Sequence, residues 1–252
     1  MPNPLPRIAL TADLPANPDG PPTYSSRCAY AAALRSAGAL PVILPPPLIV
    51  SPIALESIAD QYAEAFDGFL FTGGADPVTE PFGQPTHTEA KRLHPSRQAF
   101  ELALLTALDK PEHRDKPVLA ICLGMQLMAL HNQATLHQHL PDSPHAPSAP
   151  THLDNNLHDI IPTVHNHPVI AQRGRAASSH HQAVSDPGKL RVVAHAHDHV
   201  IEAVDDPARA FYLGVQWHPE RTPEGPGSDH LAEGIFRAFV ERAARAQHAL
   251  SR

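Results

Sequence analysis

The stretch KPVLAICLGMQLMALH, residues 116–131, joins a short apolar run to a helical pattern, and Cys122 lies where the two meet. The run before the cysteine has the length of a buried strand, whereas the apolar residues after it recur at helical spacing. Ala120 and Gly124 stand two residues before and two residues after the cysteine, and small residues at these positions permit a sharp turn. The stretch therefore predicts a strand-turn-helix unit that presents a cysteine at the turn.

Strand and helix patterns alternate on both sides of this unit. This alternation predicts an α/β fold with a largely parallel sheet that helices cover on both faces. We expect one domain over residues 1–252, and an apolar content of 42% suffices for its core. The predicted strands are 7–11, 40–46, 68–71 and 211–217, a hairpin over 190–206 and edge strands such as HPVIAQ at 167–172; the predicted helices are 25–37, 52–66, 95–108 and 229–249.

Residues 132–177 are rich in Pro, His and Asn and show little periodicity. The histidine pairs in this region, His137 with His139 and His165 with His167, are each separated by one residue. Neither pair has the helical spacing or the neighbouring cysteine pairs of a recognised zinc site. The region therefore predicts solvated loops, and we expect neither a metal ion nor a cofactor.

The charge balance and the N-terminal sequence exclude several classes of partner. The net charge is −7 with His counted neutral, whereas binding to nucleic acid needs a concentrated excess of Lys and Arg. The start MPNPLPRIAL, residues 1–10, reads as neither a signal peptide nor a membrane anchor, which predicts a cytoplasmic protein. Cys28 and Cys122, the two cysteines, lie far apart in sequence, which favours reduced thiols over a disulfide.

The sequence GVQWHPE, residues 214–220, supplies the partners that a cysteine nucleophile requires. A lone cysteine at the end of a core strand is more often inert, so the combination of residues matters. A predicted strand ends at His218, and Glu220 follows where its carboxylate can orient the imidazole. Most free thiol is protonated at neutral pH, so a base is needed, and the resulting imidazolium can protonate a departing amine. Cys122, His218 and Glu220 are the predicted nucleophile, base and orienting carboxylate.

The sequence TGGAD, residues 72–76, follows another predicted strand. Its glycines allow backbone N–H groups to approach a ligand closely, although an ordinary Gly-Gly turn has the same sequence. Together with the N–H group of Leu123, the N–H group of Gly73 or Gly74 could stabilise an oxyanion by about 3 kcal/mol per donor. These three residues are therefore the predicted oxyanion donors.

The Gly-Gly turn, the cysteine turn and the His-Pro-Glu sequence, in that order, resemble the class I glutamine amidotransferase superfamily. Over residues 7–240, the chain is most similar to the gamma-glutamyl-gamma-aminobutyrate hydrolase group, whose members cleave γ-glutamyl amides. Five stretches carry this likeness: GGADPVTEPFG (73–83), ATLHQHL (134–140), SSHHQAV (178–184), IEAVDD (201–206) and GVQWHPE (214–220).

The resemblance implies a flavodoxin-like three-layer α/β/α sandwich whose largely parallel sheet has extra antiparallel strands. It implies hydrolysis of a small-molecule γ-glutamyl amide through a thioester on Cys122. Apart from the resemblance, we expect no membrane partner and leave a homodimer open. By the same resemblance, Gln126 contacts the glutamyl α-amino or carboxylate end of the substrate. Ser178, His180 and His181 are implied to line the same pocket.

Four positions depart from the pattern of the hydrolase group and leave the substrate open. Leu123 stands where the group usually has Arg, and Leu is common there in amidotransferases that work with a synthetase. Ala120, Ala177 and Gln98 replace the usual Gly, Asn and Asp. Two alternatives therefore stay open: a glutaminase subunit that passes ammonia to a separate synthetase, and a non-catalytic binding module on the same fold.

Overall fold

Eleven strands form one mixed sheet within the described part of the chain. The computed structural model describes residues 4–15, 21–48, 50–223 and 228–250. The strands are β1 (Arg7–Thr11), β2 (Leu40–Leu44), β3 (Gly68–Phe71), β4 (Val118–Ile121), β5 (Thr135–His137), β6 (Asn156–Pro162), β7 (Gly174–Ser178), β8 (Ala183–Asp186), β9 (Arg191–Ala196), β10 (Ile201–Asp205) and β11 (Tyr212–Val215).

Five α-helices cover this sheet, and most lie where the sequence predicts them. The first begins three residues later than predicted because Ser25 pairs with Asp13 in an isolated bridge and is extended. Among the described residues, no helix has the length and hydropathy needed to cross a membrane. The helices are α1 (Cys28–Ser36), α2 (Pro52–Ala65), α3 (Pro95–Leu108), α4 (Leu123–His131) and α5 (Glu233–Leu250).

The parallel part of the sheet has the strand order β2-β1-β3-β4-β11. Because parallel strands point the same way, the carboxyl ends of β1, β3, β4 and β11 lie at one edge. The sequence patterns singled out above, TGGAD, Cys122 and His218, all follow these carboxyl ends. In open α/β sheets, ligands bind at this edge, so the fold places the predicted chemistry in the expected position.

The helices form one layer on each face of the sheet. Strand β4 shows this most clearly because its side chains alternate between the two faces. Leu119 and Ile121 belong to the buried cluster that includes α1 and α5, whereas Val118 and Ala120 belong to the cluster that includes α2, α3 and α4. The predicted α/β fold and its three layers are thus confirmed.

Antiparallel strands continue the sheet beyond β11 in the order β10-β9-β6-β7, and β8 pairs with β10 and with β5. The predicted hairpin over 190–206 is formed by β9 and β10. The antiparallel part comprises strands β5 to β10, in agreement with the extra antiparallel strands that the resemblance implies.

The prediction of solvated loops over the proline- and histidine-rich region 132–177 is wrong, because β5, β6 and most of β7 lie there. The predicted edge strand HPVIAQ is wrong, because residues 167–172 form no strand. The Nδ1 atom of His167 accepts hydrogen bonds from the backbone N–H groups of Val169 (3.3 Å) and Ile170 (2.9 Å), which curls the segment. Pro168 also lacks the N–H group that a strand pairing would use. Strands β6 and β7, which flank this segment, pair with each other instead.

Candidate active site

Cys122 lies at a strained turn between β4 and α4. Its backbone φ is 54° and its ψ is −109°, a conformation that residues with a side chain rarely adopt. The backbone N–H group of Cys122 donates to the carbonyl oxygen of Val215 at 2.8 Å, which ties the turn to β11. A side-chain carbon on Gly124 would collide with the Phe71 carbonyl group, so the small residue predicted after the cysteine is required for packing. The sharp turn is therefore stabilised by the backbone hydrogen bond to β11 and by the close contact between α4 and β3.

His218 and Glu220 lie on the segment that follows β11. The Nδ1 atom of His218 is 2.8 Å from the Oε1 atom of Glu220, and both side chains are almost completely buried. The backbone N–H group of His218 donates to the carbonyl oxygen of Ala177 at 2.8 Å. Because Glu220 occupies Nδ1, the Nε2 side of the ring is free to act on a neighbouring group.

The surroundings of His218 favour the protonated form of its ring. Burial alone lowers the pKa of His218, but the charge of Cys122, its hydrogen bond with the ring and the contact with Glu220 raise that pKa to about 9. An imidazolium that persists at neutral pH stabilises a thiolate beside it. The arrangement is thus suited to nucleophilic attack by sulfur followed by proton donation from the ring.

The predicted oxyanion loop follows β3 beside the cysteine. The N–H group of Gly73 donates to the hydroxyl of Tyr30 at 3.0 Å, so this group already has a partner. A side-chain carbon at Gly74 would collide with the guanidinium of Arg97 and with Leu123, so only glycine fits there. Leu123 is the first residue of α4, where backbone N–H groups have no partner within the helix. The N–H groups of Gly74 and Leu123 therefore stay the predicted donors.

Arg97 holds this loop in place through hydrogen bonds to its backbone. Its side chain is fully buried and donates to the Thr72 carbonyl oxygen (3.0 Å) and to the Gly73 carbonyl oxygen (3.2 Å). Two carboxylates balance its charge, with contacts of 2.6 Å to Asp13 and 2.7 Å to Glu101. The guanidinium therefore fixes the orientation of both carbonyl groups of the loop.

A pocket of about 430 Å³ opens above Cys122. It contains one acidic side chain, Asp13, and two basic ones, Arg27 and Arg221. The remaining lining residues are Ser25, Ser26, Tyr30, Thr72, Gly73, Gly74, Cys122, Ser179 and His218.

The family model described as peptidase C26 matches residues 8–220 of the chain. This span contains Cys122, His218 and Glu220. The chain belongs to the peptidase C26 family. The resemblance to glutamine amidotransferase-like hydrolases that the sequence motifs indicate is thereby confirmed.

Similar proteins agree with membership of the peptidase C26 family. A protein of Mycobacterium tuberculosis, named as a glutamine amidotransferase, is 33% identical over 219 residues, which are 85% of this chain and 66% of that protein. The gamma-glutamyl-gamma-aminobutyrate hydrolase PuuD of Escherichia coli is 29% identical over 237 residues, 86% of this chain and 87% of that protein. A crystal structure from Thermoplasma acidophilum, described as that of a GMP synthase protein, superposes with a TM-score of 0.63 at 16% identity, covering 99% of this chain and 100% of the other. The last likeness shows the fold alone.

Among the described residues that line the pocket, none is one of the four predicted to contact substrate. Gln126 is buried, and its amide donates to Gln216 Oε1 at 3.2 Å. His181 is partly exposed, and its Nε2 atom lies 2.9 Å from Asp76 Oδ2. Ser178 and His180 are buried, and Ser179 between them lines the pocket. Their substrate contacts stay predictions.

Sequence reasoning missed several residues of this pocket. Asp13 follows β1, and Tyr30 lies on α1, where an aromatic side chain is expected to pack in the core. Burial and the charge of Glu220 raise the pKa of Tyr30, so its hydroxyl stays protonated beside Gly73. The signal that could have found Asp13 is its place directly after a predicted parallel strand. Arg97 carried no such signal, because its role depends on contacts with two distant loops.

Proposed function

We propose that the protein is a cysteine-dependent hydrolase that cleaves a γ-glutamyl amide and releases glutamate and an amine. The observation that carries this proposal is the pairing of Cys122, at a strained turn, with His218, whose other nitrogen is held by Glu220. The relative PuuD, named a gamma-glutamyl-gamma-aminobutyrate hydrolase, supports the same substrate class.

The charges of the pocket complement the amino-acid end of a γ-glutamyl group. That end carries an α-ammonium group and an α-carboxylate, and the pocket offers Asp13 to the first and Arg27 or Arg221 to the second. The Asp13 side chain is 33% exposed, so it is accessible to a ligand even while it contacts Arg97. A substrate held at both charges would place its γ-carbonyl near Cys122.

The reaction follows from these positions. The Cys122 thiolate attacks the γ-carbonyl carbon and forms a C–S bond, while the carbonyl oxygen becomes an oxyanion facing the N–H groups of Gly74 and Leu123. The C–N bond then breaks, and the departing amine takes the proton of His218. Water attacks the thioester, gives its proton to His218, and the C–S bond breaks to release glutamate and restore the thiolate–imidazolium pair.

Leu123 favours a second candidate, a glutaminase subunit that supplies ammonia to a separate synthetase. Its side chain is buried against Leu93, Leu127 and Ala75 rather than in the pocket. The position thus contributes no cation to substrate binding, in contrast to the Arg usual in the hydrolase group. The Mycobacterium tuberculosis relative named as a glutamine amidotransferase is consistent with this candidate.

The proposal is tested with the isolated chain and a panel of γ-glutamyl amines plus glutamine, with glutamate release as the readout. We expect turnover of at least one γ-glutamyl amine without any partner protein, and a loss of about 10⁴-fold or more in Cys122→Ser. Cys28→Ser is the matched control, because Cys28 is exposed and lies outside the pocket.

Three results would count against the hydrolase. Undiminished turnover in Cys122→Ser would remove the nucleophile from the reaction. If the isolated chain released no glutamate from any amide but became active when a synthetase was added, the glutaminase subunit would be favoured. If a thiol-directed electrophile failed to label Cys122 near neutral pH, the non-catalytic binding module would be the better explanation.

A further inference from the structure

Four buried side chains that do not line the active-site pocket each bring one potential metal-ligand atom close to those of the others. His152, His158, His180 and Glu202 are each at most 5% exposed. One ligand atom from each residue lies within 4.8 Å of those of the other three. Imidazole nitrogens and carboxylate oxygens are common zinc ligands.

The distances from Glu202 to the three rings of this histidine–glutamate cluster match those between ligands of a tetrahedral ion. The Oε1 atom of Glu202 lies 3.3 Å from His152 Nδ1, 3.6 Å from His158 Nε2 and 3.5 Å from His180 Nε2. Zinc–ligand bonds of about 2.0–2.2 Å in a tetrahedron place neighbouring ligand atoms about 3.3–3.6 Å apart. The carboxylate oxygen therefore stands at the spacing from each nitrogen that one shared ion requires.

The second nitrogen of each ring has an acceptor that fixes the ring. His152 Nε2 lies 2.9 Å from Asp198 Oδ2, and His180 Nδ1 lies 2.9 Å from the carbonyl oxygen of Gln182. His158 Nδ1 lies 3.2 Å from the Asp159 carbonyl oxygen. Metal-ligating histidines usually donate their other N–H group to a carboxylate or a backbone carbonyl. All three rings thus direct their other nitrogen towards Glu202.

Several inward atoms lack hydrogen bonds. Within the described part of the chain, His152 Nδ1, His180 Nε2 and both carboxylate oxygens of Glu202 make none of acceptable geometry. His158 Nε2 has one polar neighbour, the Ser178 hydroxyl at 2.5 Å. Leaving so many buried polar atoms unpaired is costly, and a single cation would satisfy all of them.

We propose that His152, His158, His180 and Glu202 bind one divalent transition-metal ion of the zinc type. With four protein ligands and almost complete burial, the site is closed and structural rather than catalytic. The proposal is independent of the reaction at Cys122. It departs from the sequence-based expectation of no metal, which rested on His137, His139, His165 and His167, none of which belongs to the cluster.

The ion would add a cross-link between residues in and next to strands that are already joined through their backbones, since β6 pairs with β7 and the His180 N–H group donates to the His152 carbonyl oxygen at 2.7 Å. His152 precedes β6, His158 lies on it, His180 follows β7 and Glu202 lies on β10. Ser179, beside His180, lines the active-site pocket. The carbonyl oxygen of Glu202 accepts from the N–H group of Gln216 at 2.7 Å, two residues before His218. Metal binding would therefore order one wall of the pocket.

Zinc titration of untagged, chelator-treated full-length protein tests the proposal. We expect one equivalent of Zn²⁺ to bind and to raise the melting temperature. The same protein loaded with Co²⁺ should show the intense visible d–d absorption of a four-coordinate ion. The Co²⁺ spectrum of the unmutated protein tests the four-coordinate site even if ligand variants fail to fold. No stoichiometric binding, or a six-coordinate Co²⁺ spectrum, would overturn the proposal.

Variants of single residues test which side chains bind the ion. Glu202→Gln and His180→Asn should lose the stoichiometric equivalent, and Asp198→Asn, which keeps every ligand, should bind about 10- to 100-fold more weakly. The double variant His195→Asn/His199→Asn is the control, because these two rings lie near each other, 6.4 Å between centroids, outside the cluster. If the control lost the equivalent while Glu202→Gln kept it, the ion would belong to surface histidines and the proposal would be wrong.

Discussion

The charge state of the candidate site depends on three residues, Cys122, His218 and Glu220. The raised pKa of His218 shows that the ring keeps its proton beside the sulfur through the neutral range. A proton on this ring is what a departing amine needs, and its loss at high pH would leave the amine without an acid. Glu220 contributes to that pKa through its contact with Nδ1.

Replacing Glu220 with Gln should therefore change the pH profile as well as the rate. In the unmutated protein, we expect kcat/KM to fall as the pH rises through about 9, where His218 loses its proton. In Glu220→Gln, the alkaline limb should move to lower pH and the plateau should drop by about 10²- to 10⁴-fold. Measurement of kcat/KM between pH 5 and pH 10, with Glu112→Gln as the control, checks this; an unmoved limb would contradict it.

Helix α3 acts on the site through Arg97. The guanidinium joins α3 to the loop after β3 and to Asp13 after β1, so three elements depend on one buried cation. Glu101, one turn further along α3, is fully buried and neutralises it. Removal of the cation would leave this carboxylate buried without a counter-ion.

Arg97→Met should lower the free energy of unfolding by about 3–5 kcal/mol, the usual cost of breaking a buried ion pair. It should also lower kcat/KM, because the carbonyl groups of Thr72 and Gly73 lose their donor. Denaturant unfolding measures the first effect. Arg173→Met is the control, since its ion pair with Asp159 is largely exposed and should contribute about 0–1 kcal/mol. Equal unfolding free energies in the two variants would contradict this role.

The elements that the sequence predicts well are those with a strong local pattern. Strand β3 and helix α3 have their predicted bounds, because apolar runs and helical spacing are local properties. Helix α1 begins late because Ser25 pairs with Asp13, a contact that no local pattern encodes. HPVIAQ is apolar enough for a strand, but His167 accepts hydrogen bonds from its backbone N–H groups and prevents the pairing.

At the scale of the whole molecule, the candidate site exists because four parallel strands end at one edge. The sequence predicts that edge from the alternation of strands and helices, and with it the meeting of Cys122 and His218. It does not predict the extent of the antiparallel part, since β5 pairs with β8, and β6 with β7 and β9, across long stretches of chain. For the same reason, Asp13 and Arg97 escape sequence reasoning, and the histidine–glutamate cluster becomes visible only when its segments are assembled.

The central claim is that Cys122 carries a γ-glutamyl thioester in the isolated chain. The most direct measurement is mass spectrometry of protein quenched in acid during turnover of a γ-glutamyl amine, followed by peptide mapping. We predict a γ-glutamyl mass increment on the peptide that contains Cys122, absent in Cys122→Ser and retained in Cys28→Ser. Turnover without any adduct on Cys122, or an adduct on Cys28 instead, would contradict the claim.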